Sequence, residues 1–201
     1  MSTDDRDKWQ TRYLHGAYAE RTNPAVFLQQ KMPSILASFD VGKGLHALDL
    51  ACGAGRNSLY LACQGFAVDA VDIAEAALTR ARTSADAQGI DGIQWIEHDL
   101  DKGLPTEAVS YDLIIMIRYL DIDLLKNAAS YLTPGGYLLA EVHLQSDQPV
   151  AGPTSSNFRA VPGALRTAAE GLELLDYEEG IFTDPDDNQV ALARLLARRA
   201  G

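Results

Sequence analysis

The sequence predicts a doubly wound α/β fold built on a mostly parallel sheet, and three observations predict it. Short apolar runs alternate with stretches of helical spacing along residues 45–143, the pattern of a parallel sheet covered on both faces. The run Leu45–Leu50 carries one acid, Asp49, and opens through Gly53-Ala54-Gly55 into the helically spaced Leu59, Tyr60, Leu61 and Ala62. This is strand, glycine turn, helix, the arrangement in which backbone N–H groups at a helix start meet a nucleotide-like ligand. Two further strand-like runs, 172–179 and 189–199, complete a set of seven.

Residues 7–39 are largely helical in pattern, punctuated by Pro24 and Pro33, and form a helical cap ahead of the first strand. Strand 45–51 leads through the glycine turn to helix 56–64, which Gly65 stops. Strand 66–71 leads to helix 74–88, stopped by Gly89. Strand 93–97 and the strongly apolar strand 111–118 follow, then helix 121–132 and strand 136–143. Residues 145–162 are rich in Pro, Ser, Gly and Asn and read as a long loop, a candidate lid, because loops of this length in compact domains are functional or mobile. A short helix, 162–170, precedes the two closing strands.

Composition narrows the function. With 201 residues, 47% of them hydrophobic and 22% charged, the chain is expected to form one globular domain over 1–201. There is no run of 18 apolar residues, and the acidic start Ser2–Asp7 lacks the features of a signal peptide, so neither a membrane partner nor export is expected. Cys52 and Cys63 make no disulfide framework, which points to the cytoplasm. A net charge of −11 works against nucleic-acid backbones. The clearest basic cluster, Arg194, Arg198 and Arg199, reads as a solvated strand end. No H-E-x-x-H, C-x-x-C or G-x-S-x-G occurs, so no metal or nucleophile triad is expected. A small-molecule substrate and a monomer or homodimer fit these bounds.

Two cofactor classes use such a glycine turn. The dinucleotide fingerprint needs a third glycine, G-x-G-x-x-G, where this chain has Ser58. The run from Asp49 through Cys52-Gly53-Ala54-Gly55, D-x-x-C-G-x-G, instead resembles motif I of class I S-adenosylmethionine-dependent methyltransferases. Gly55-Arg-Asn-Ser-Leu-Tyr-Leu-Ala62 followed by Gly65-Phe66 is similar to the tellurite-resistance-type branch of that family. Thr133-Pro134-Gly135-Gly136 resembles the L-x-P-G-G turn before its fifth strand. Trp9-Gln-Thr-Arg-Tyr13 and the continuation Gly16-x-Tyr18-x-x-Arg21-Thr-Asn-Pro24 resemble the cap that folds over the cofactor in thiopurine-type enzymes. The resemblance covers most of residues 7–199. It implies a Rossmann-like seven-stranded sheet with the last strand antiparallel. It also implies methyl transfer from S-adenosylmethionine to a small-molecule acceptor, with S-adenosylhomocysteine as product.

Carried onto this chain, the resemblance implies cofactor contacts from Asp49, Ala51, Gly53, Gly55 and Asn57 of the turn. It adds Asp72 and Ile73 at the ribose, Asp99 and Leu100 at the adenine, and Trp9, Tyr13 and Arg21 from the cap. The residues themselves support part of this. Gly53 and Gly55 let a backbone approach a ligand with no Cβ between. Trp9 and Tyr13 share one helix face, and an aromatic face attracts a sulfonium by roughly 0.5–2 kcal/mol. Asp72 alone does not separate S-adenosylmethionine from a dinucleotide, and it is equally placed to cap the helix beginning near Ala74.

Arg118 and His143 each close an apolar strand at the carboxyl edge of the sheet, where open α/β folds bind ligands. They are the candidate catalytic residues, and Arg118 is also a candidate cofactor contact, since a charge ending so apolar a strand needs a partner. His143 is the candidate base if the acceptor carries a proton at working pH. Two other readings stay open: a Rossmann-type NAD(P)-dependent oxidoreductase, and a non-catalytic S-adenosylmethionine-binding subunit.

Overall fold

The structure, a computed structural model, describes residues 3–40, 42–105 and 109–201. Seven strands form a sheet in the order β3-β2-β1-β4-β5-β7-β6, the order of a doubly wound α/β fold with a closing antiparallel pair. The chain divides into two compact units, Met1–Asp112 and Leu113–Gly201. Among the described residues, no helix is long and apolar enough to cross a membrane.

In the first unit, helices α1 (Thr3–Leu14) and α2 (Val26–Leu36) make up the predicted cap. Pro24 precedes α2, whereas Pro33 lies inside it, tolerated because Phe27, Leu28, Met32 and Ile35 bury one face of the helix. Strand β1 (Leu45–Leu50) runs parallel to β2 (Phe66–Asp72), and β2 runs parallel to β3 (Ile93–Glu97). Helix α3 (Arg56–Cys63) joins β1 to β2, and α4 (Glu75–Gln88) joins β2 to β3. Gly89 ends α4 in the left-handed region at φ 63°, the stop its position predicts.

Strand β4 (Tyr111–Ile117) is buried along its whole length, which explains its unbroken apolar run. The second unit continues with α5 (Ile122–Ala128), begun by Asp121 accepting a hydrogen bond from the Leu124 N–H at 2.8 Å. Strand β5 (Leu132–His143) starts earlier than the predicted 136, because Gly135 and Gly136 pair with Arg199 through two backbone bonds of 3.0 and 2.8 Å. The predicted helix 162–170 shrinks to α6 (Ala164–Thr167). Past Thr167 the bonds reach back only three residues and Gly171 turns the chain at φ 86°, so the helix cannot continue. Strand β6 (Glu173–Thr183) outlasts the predicted 179 and carries an irregularity between Leu174 and Asp176. Strand β7 (Gln189–Arg198) pairs antiparallel with both β5 and β6.

Candidate active site

The turn after β1 is anchored on both flanks. The Cys52 N–H donates to the Val71 carbonyl at 2.9 Å. Asp72, at the end of β2, accepts from the Gly53 N–H at 2.8 Å through one oxygen and from the Ala74 N–H at 2.9 Å through the other. Its carboxylate therefore ties the glycine turn to the start of α4, and burial raises its pKa. Each carboxylate oxygen keeps a second lone pair after these bonds, so neighbouring hydroxyls remain acceptable partners.

The two glycines have different duties. Gly53 lies at φ 58°, and a Cβ there would stand 2.5 Å from the Tyr13 hydroxyl. Gly55, expected to admit a ligand, is also held to glycine by packing. At φ 78° its Cβ would meet the Trp95 ring at 2.6 Å and the Ala81 Cβ at 2.8 Å. Ala51 also adopts a left-handed conformation, at φ 58°, a strain that non-glycine residues accept where the surroundings fix the turn.

Two polar residues of α3 serve the turn rather than facing outward. The Ser58 hydroxyl donates to Asp49 at 2.6 Å, so the residue that breaks the dinucleotide fingerprint satisfies the buried acid of β1. The Asn57 side-chain oxygen accepts from the Ala25 N–H at 2.9 Å, which fixes the start of α2. Asp49 is 1% exposed, and desolvation pushes its pKa to about 7. The folded state thus holds this proton more tightly than the unfolded chain, where an Asp titrates near 3.8. Its contribution to stability is complete below the unfolded value and is lost as pH rises to about 7, by on the order of 1 kcal/mol per pH unit. Asp49→Asn, which keeps an acceptor for Ser58 but cannot titrate, should therefore gain on the wild type as pH is raised from 5 to 8. Urea midpoints at the two pH values check this, and equal slopes for both proteins would refute it.

Helix α1 lies along α4 and the turn. The Gln10 side chain accepts from the Ala76 N–H at 3.0 Å, Arg6 pairs with Glu97 at 2.6 Å, and Arg80 donates to the Ala17 carbonyl at 2.8 Å. These bonds seat Tyr13 above Gly53, where burial and the neighbouring Asp72 raise the pKa of its hydroxyl. Trp9 and Tyr13 are neighbours with ring centroids 6.4 Å apart, as their spacing predicts. Arg12 lies over one face of Trp9, at 4.7 Å from the ring centroid. Arg21 is exposed and lies 5.8 Å over the Tyr18 ring. At the end of β3, Asp99 accepts from the Asp101 N–H at 3.1 Å and opens a 3₁₀ turn, Leu100–Lys102, whose Leu100 is buried. Ile73 is buried between Asp72 and α4 in the sequence.

The second unit holds a separate cluster. Arg118 stands at φ 63°, its N–H on the Glu141 carbonyl at 2.7 Å and its Nε on the Glu141 carboxylate at 2.8 Å. Arg194 donates to the other carboxylate oxygen at 2.8 Å, and the Arg118 guanidinium lies 3.4 Å from His143 Nε2. The two candidate catalytic residues are thus brought together. Of the basic C-terminal cluster, Arg199 is exposed just past the strand end as expected, whereas Arg194 and Arg198 are partly buried. Arg194 is ion-paired, Arg198 donates to the Gly135 carbonyl at 3.2 Å, and Arg199 donates to the carbonyls of Ser130 and Leu132. These arginines compensate strand-end carbonyls and one buried acid.

The loop 145–162 is fastened rather than loose. Parallel bridges join Leu144 to Ala160 and Ala151 to Val190. The Arg159 guanidinium donates to the carbonyls of Pro153, Leu144 and Ala151 at 2.7, 3.0 and 3.1 Å. Gly152, at φ 114°, presses on the His143 ring, and a Cβ there would stand 2.6 Å from its Cε1. Glu141, Arg159, Gln10 and Trp95 do not stand out in the sequence, and Ser58 stands out there only as the break in the dinucleotide fingerprint. Glu141 left a signal, an acid within an apolar strand two residues before His143, because buried charges occur in pairs.

A family model described as a methyltransferase domain matches residues 47–136, from β1 to the start of β5. A probable S-adenosyl-L-methionine-dependent methyltransferase, TehB of Haemophilus influenzae, is 27% identical over 165 residues, covering 76% of this chain and 56% of the relative. This chain thus matches little more than half of that protein's length. The crystal structure of Haemophilus influenzae TehB superposes with a TM-score of 0.70 at 23% identity, over 92% of this chain and 66% of that one. The magnesium protoporphyrin IX methyltransferase of Synechocystis, with bound S-adenosylhomocysteine, superposes with a TM-score of 0.69 at 17% identity, over 98% of this chain and 99% of that one. With the glycine turn, the acid at the end of β2 and the closing antiparallel pair in place, residues 47–136 match a methyltransferase domain, and the chain has the Rossmann-like fold of the S-adenosylmethionine-dependent methyltransferases it resembles.

Proposed function

We propose that the protein transfers a methyl group from S-adenosylmethionine to a small-molecule acceptor. The observation that carries this reading is the meeting of Gly53, the Asp72 carboxylate and Tyr13 at one turn. The donor set fits the cofactor. Asp72 offers ribose hydroxyls a carboxylate, the turn brings backbone close without a Cβ at Gly53, and Tyr13 and Trp9 offer aromatic faces to a sulfonium. Asp99 and Leu100 at the end of β3 would border the adenine. Asp49, Ala51, Gly55 and Asn57 act by shaping the turn, and Arg21 lies at the cap's exposed rim.

When bound, S-adenosylmethionine supplies a sulfonium-activated methyl group for in-line displacement, leaving S-adenosylhomocysteine. The chain's own work is to hold and align the reactants and exclude water, which accounts for much of the acceleration in such transfers. Arg118 is the candidate acceptor contact, where it would orient or neutralise an acceptor. The reading takes residues 1–201 as one working domain in the cytoplasm, monomeric or homodimeric, with 7–39 as cap and 145–162 as cover. It assigns no role in nucleic-acid binding.

The test has two parts. Calorimetry should show S-adenosylmethionine and S-adenosylhomocysteine binding, with no binding of NAD or NADP. Asp72→Ala should weaken that affinity by about 1–3 kcal/mol, the loss expected for charge-assisted hydrogen bonds. S-adenosylhomocysteine release should then be measured against thiols, amines, hydroxyls and oxyanions. Normal affinity in a folded Asp72→Ala variant would remove Asp72 from the ribose. Tight binding without turnover on any acceptor would favour the non-catalytic subunit.

A further inference from the structure

We infer that Glu141 is a positioning residue, whose buried carboxylate holds Arg118 in one orientation and, through Arg118, fixes the tautomer of His143. The inference rests on the reading above only in taking Arg118 to face the acceptor. Its geometry belongs to the second unit alone.

Arg118 occupies the left-handed region at φ 63°, which an arginine adopts at a cost and keeps only where its surroundings over-determine it. Glu141 supplies that over-determination through both its backbone carbonyl and its side chain, at 2.7 and 2.8 Å. The carboxylate is itself immobilised. It is 2% exposed, and its second oxygen is held by Arg194, whose guanidinium lies 3.8 Å from the Phe182 ring centroid. Rotating away from Arg118 would break a second buried ion pair, which is far costlier than losing an exposed one.

The far end of Arg118 reaches His143 Nε2 at 3.4 Å. A guanidinium can only donate, so Nε2 is the acceptor and the proton of the neutral ring sits on Nδ1. That edge faces Gly152, where a Cβ would stand 2.8 Å from Nδ1. Arg159, bonded to the carbonyls on either side of Gly152, keeps this segment against the ring. The imidazole is thus clasped between Arg118 and the 151–153 segment. The nitrogen that a general base would use is engaged by Arg118, so His143 buttresses the arginine in place of accepting a proton.

Nitrogen NMR of the full chain without ligand tests this. The wild type should show neutral His143 as a single tautomer with the proton on Nδ1, and a slowly exchanging Arg118 Nε–H. Glu141→Gln should speed that exchange by roughly tenfold or more and move His143 toward a mixture of tautomers. Glu141→Asp, which keeps the charge on a shorter stem, should restore part of both signals. Arg118→Ala should move the tautomer even if the Gln variant fails to fold. A wild-type ring protonated on Nε2, or a tautomer unchanged in folded Glu141→Gln or Arg118→Ala, would overturn the inference. S-adenosylhomocysteine affinity should stay within about twofold of wild type in Glu141→Gln, because the reading above gives Arg118 to the acceptor and the cofactor to groups of the first unit. A wild type that binds no cofactor would sink the methyl-transfer reading and leave the tautomer result standing.

Discussion

Gly53→Val is expected to lower S-adenosylhomocysteine affinity by roughly a hundredfold or more, about 3 kcal/mol, while the protein stays folded. Among the described residues a Cβ at this position meets Tyr13, its hydroxyl at 2.5 Å and its ring carbon at 3.5 Å, so the new side chain presses on the cap. The φ of 58° adds a conformational cost of about 1–2 kcal/mol for a branched residue, which should appear as a melting temperature lowered by several degrees. Calorimetry and a thermal melt on one sample separate the two effects. In a Tyr13→Phe background the lost stability should partly return, because the hydroxyl is the nearest obstacle, but the lost affinity should not. A folded Gly53→Val protein with wild-type affinity would show that the cofactor lies elsewhere.

Gly55→Val, two residues on, should fail in the opposite way. Its Cβ would press on the Trp95 ring at 2.6 and 2.8 Å and on the Ala81 Cβ at 2.8 Å, and neither the ring edge nor a helix backbone yields cheaply. Overpacking of about 1–3 kcal/mol and a left-handed penalty of about 1–2 kcal/mol together remove a large part of a typical domain's stability. The urea midpoint should collapse with or without cofactor. Trp95→Leu, which shortens the obstructing ring, should recover part of it. A midpoint equal to wild type would show that the turn yields where the packing says it cannot.

The contrast between these glycines marks how far the sequence could be read. The order of strands and helices was legible because periodicity and glycine stops are local properties of the chain. The glycine turn and Asp72 were legible as a turn and a strand-end acid because strand ends restrict the chemistry there, and the pairing of Trp9 with Tyr13 because it follows from helical spacing. What Gly55, Asn57 and Ser58 do was not, since it depends on Trp95, Ala25 and Asp49, partners that only tertiary packing supplies. The arginines at the end of β7 were misjudged for the same reason. Their carboxylate and carbonyl partners belong to β5 and the residues just before it, and no local rule joins residue 194 to residue 141. The fastening of loop 145–162 was equally hidden, because its composition speaks of turns and says nothing of Arg159 gathering three carbonyls.

The placement of β7 between β5 and β6 also makes its register decisive for both neighbours. Strand β6 touches the sheet only through β7, and the connection between them is short, Asp184–Asn188. The two strands thus form a local hairpin, a unit of the kind that closes on the microsecond scale. The register of β7 on β5 places Arg194 opposite Glu141. A slip of one residue would turn every side chain of β7 to the other face and leave that carboxylate buried without Arg194. The ion pair thus penalises any register of β7 on β5 that is off by one residue.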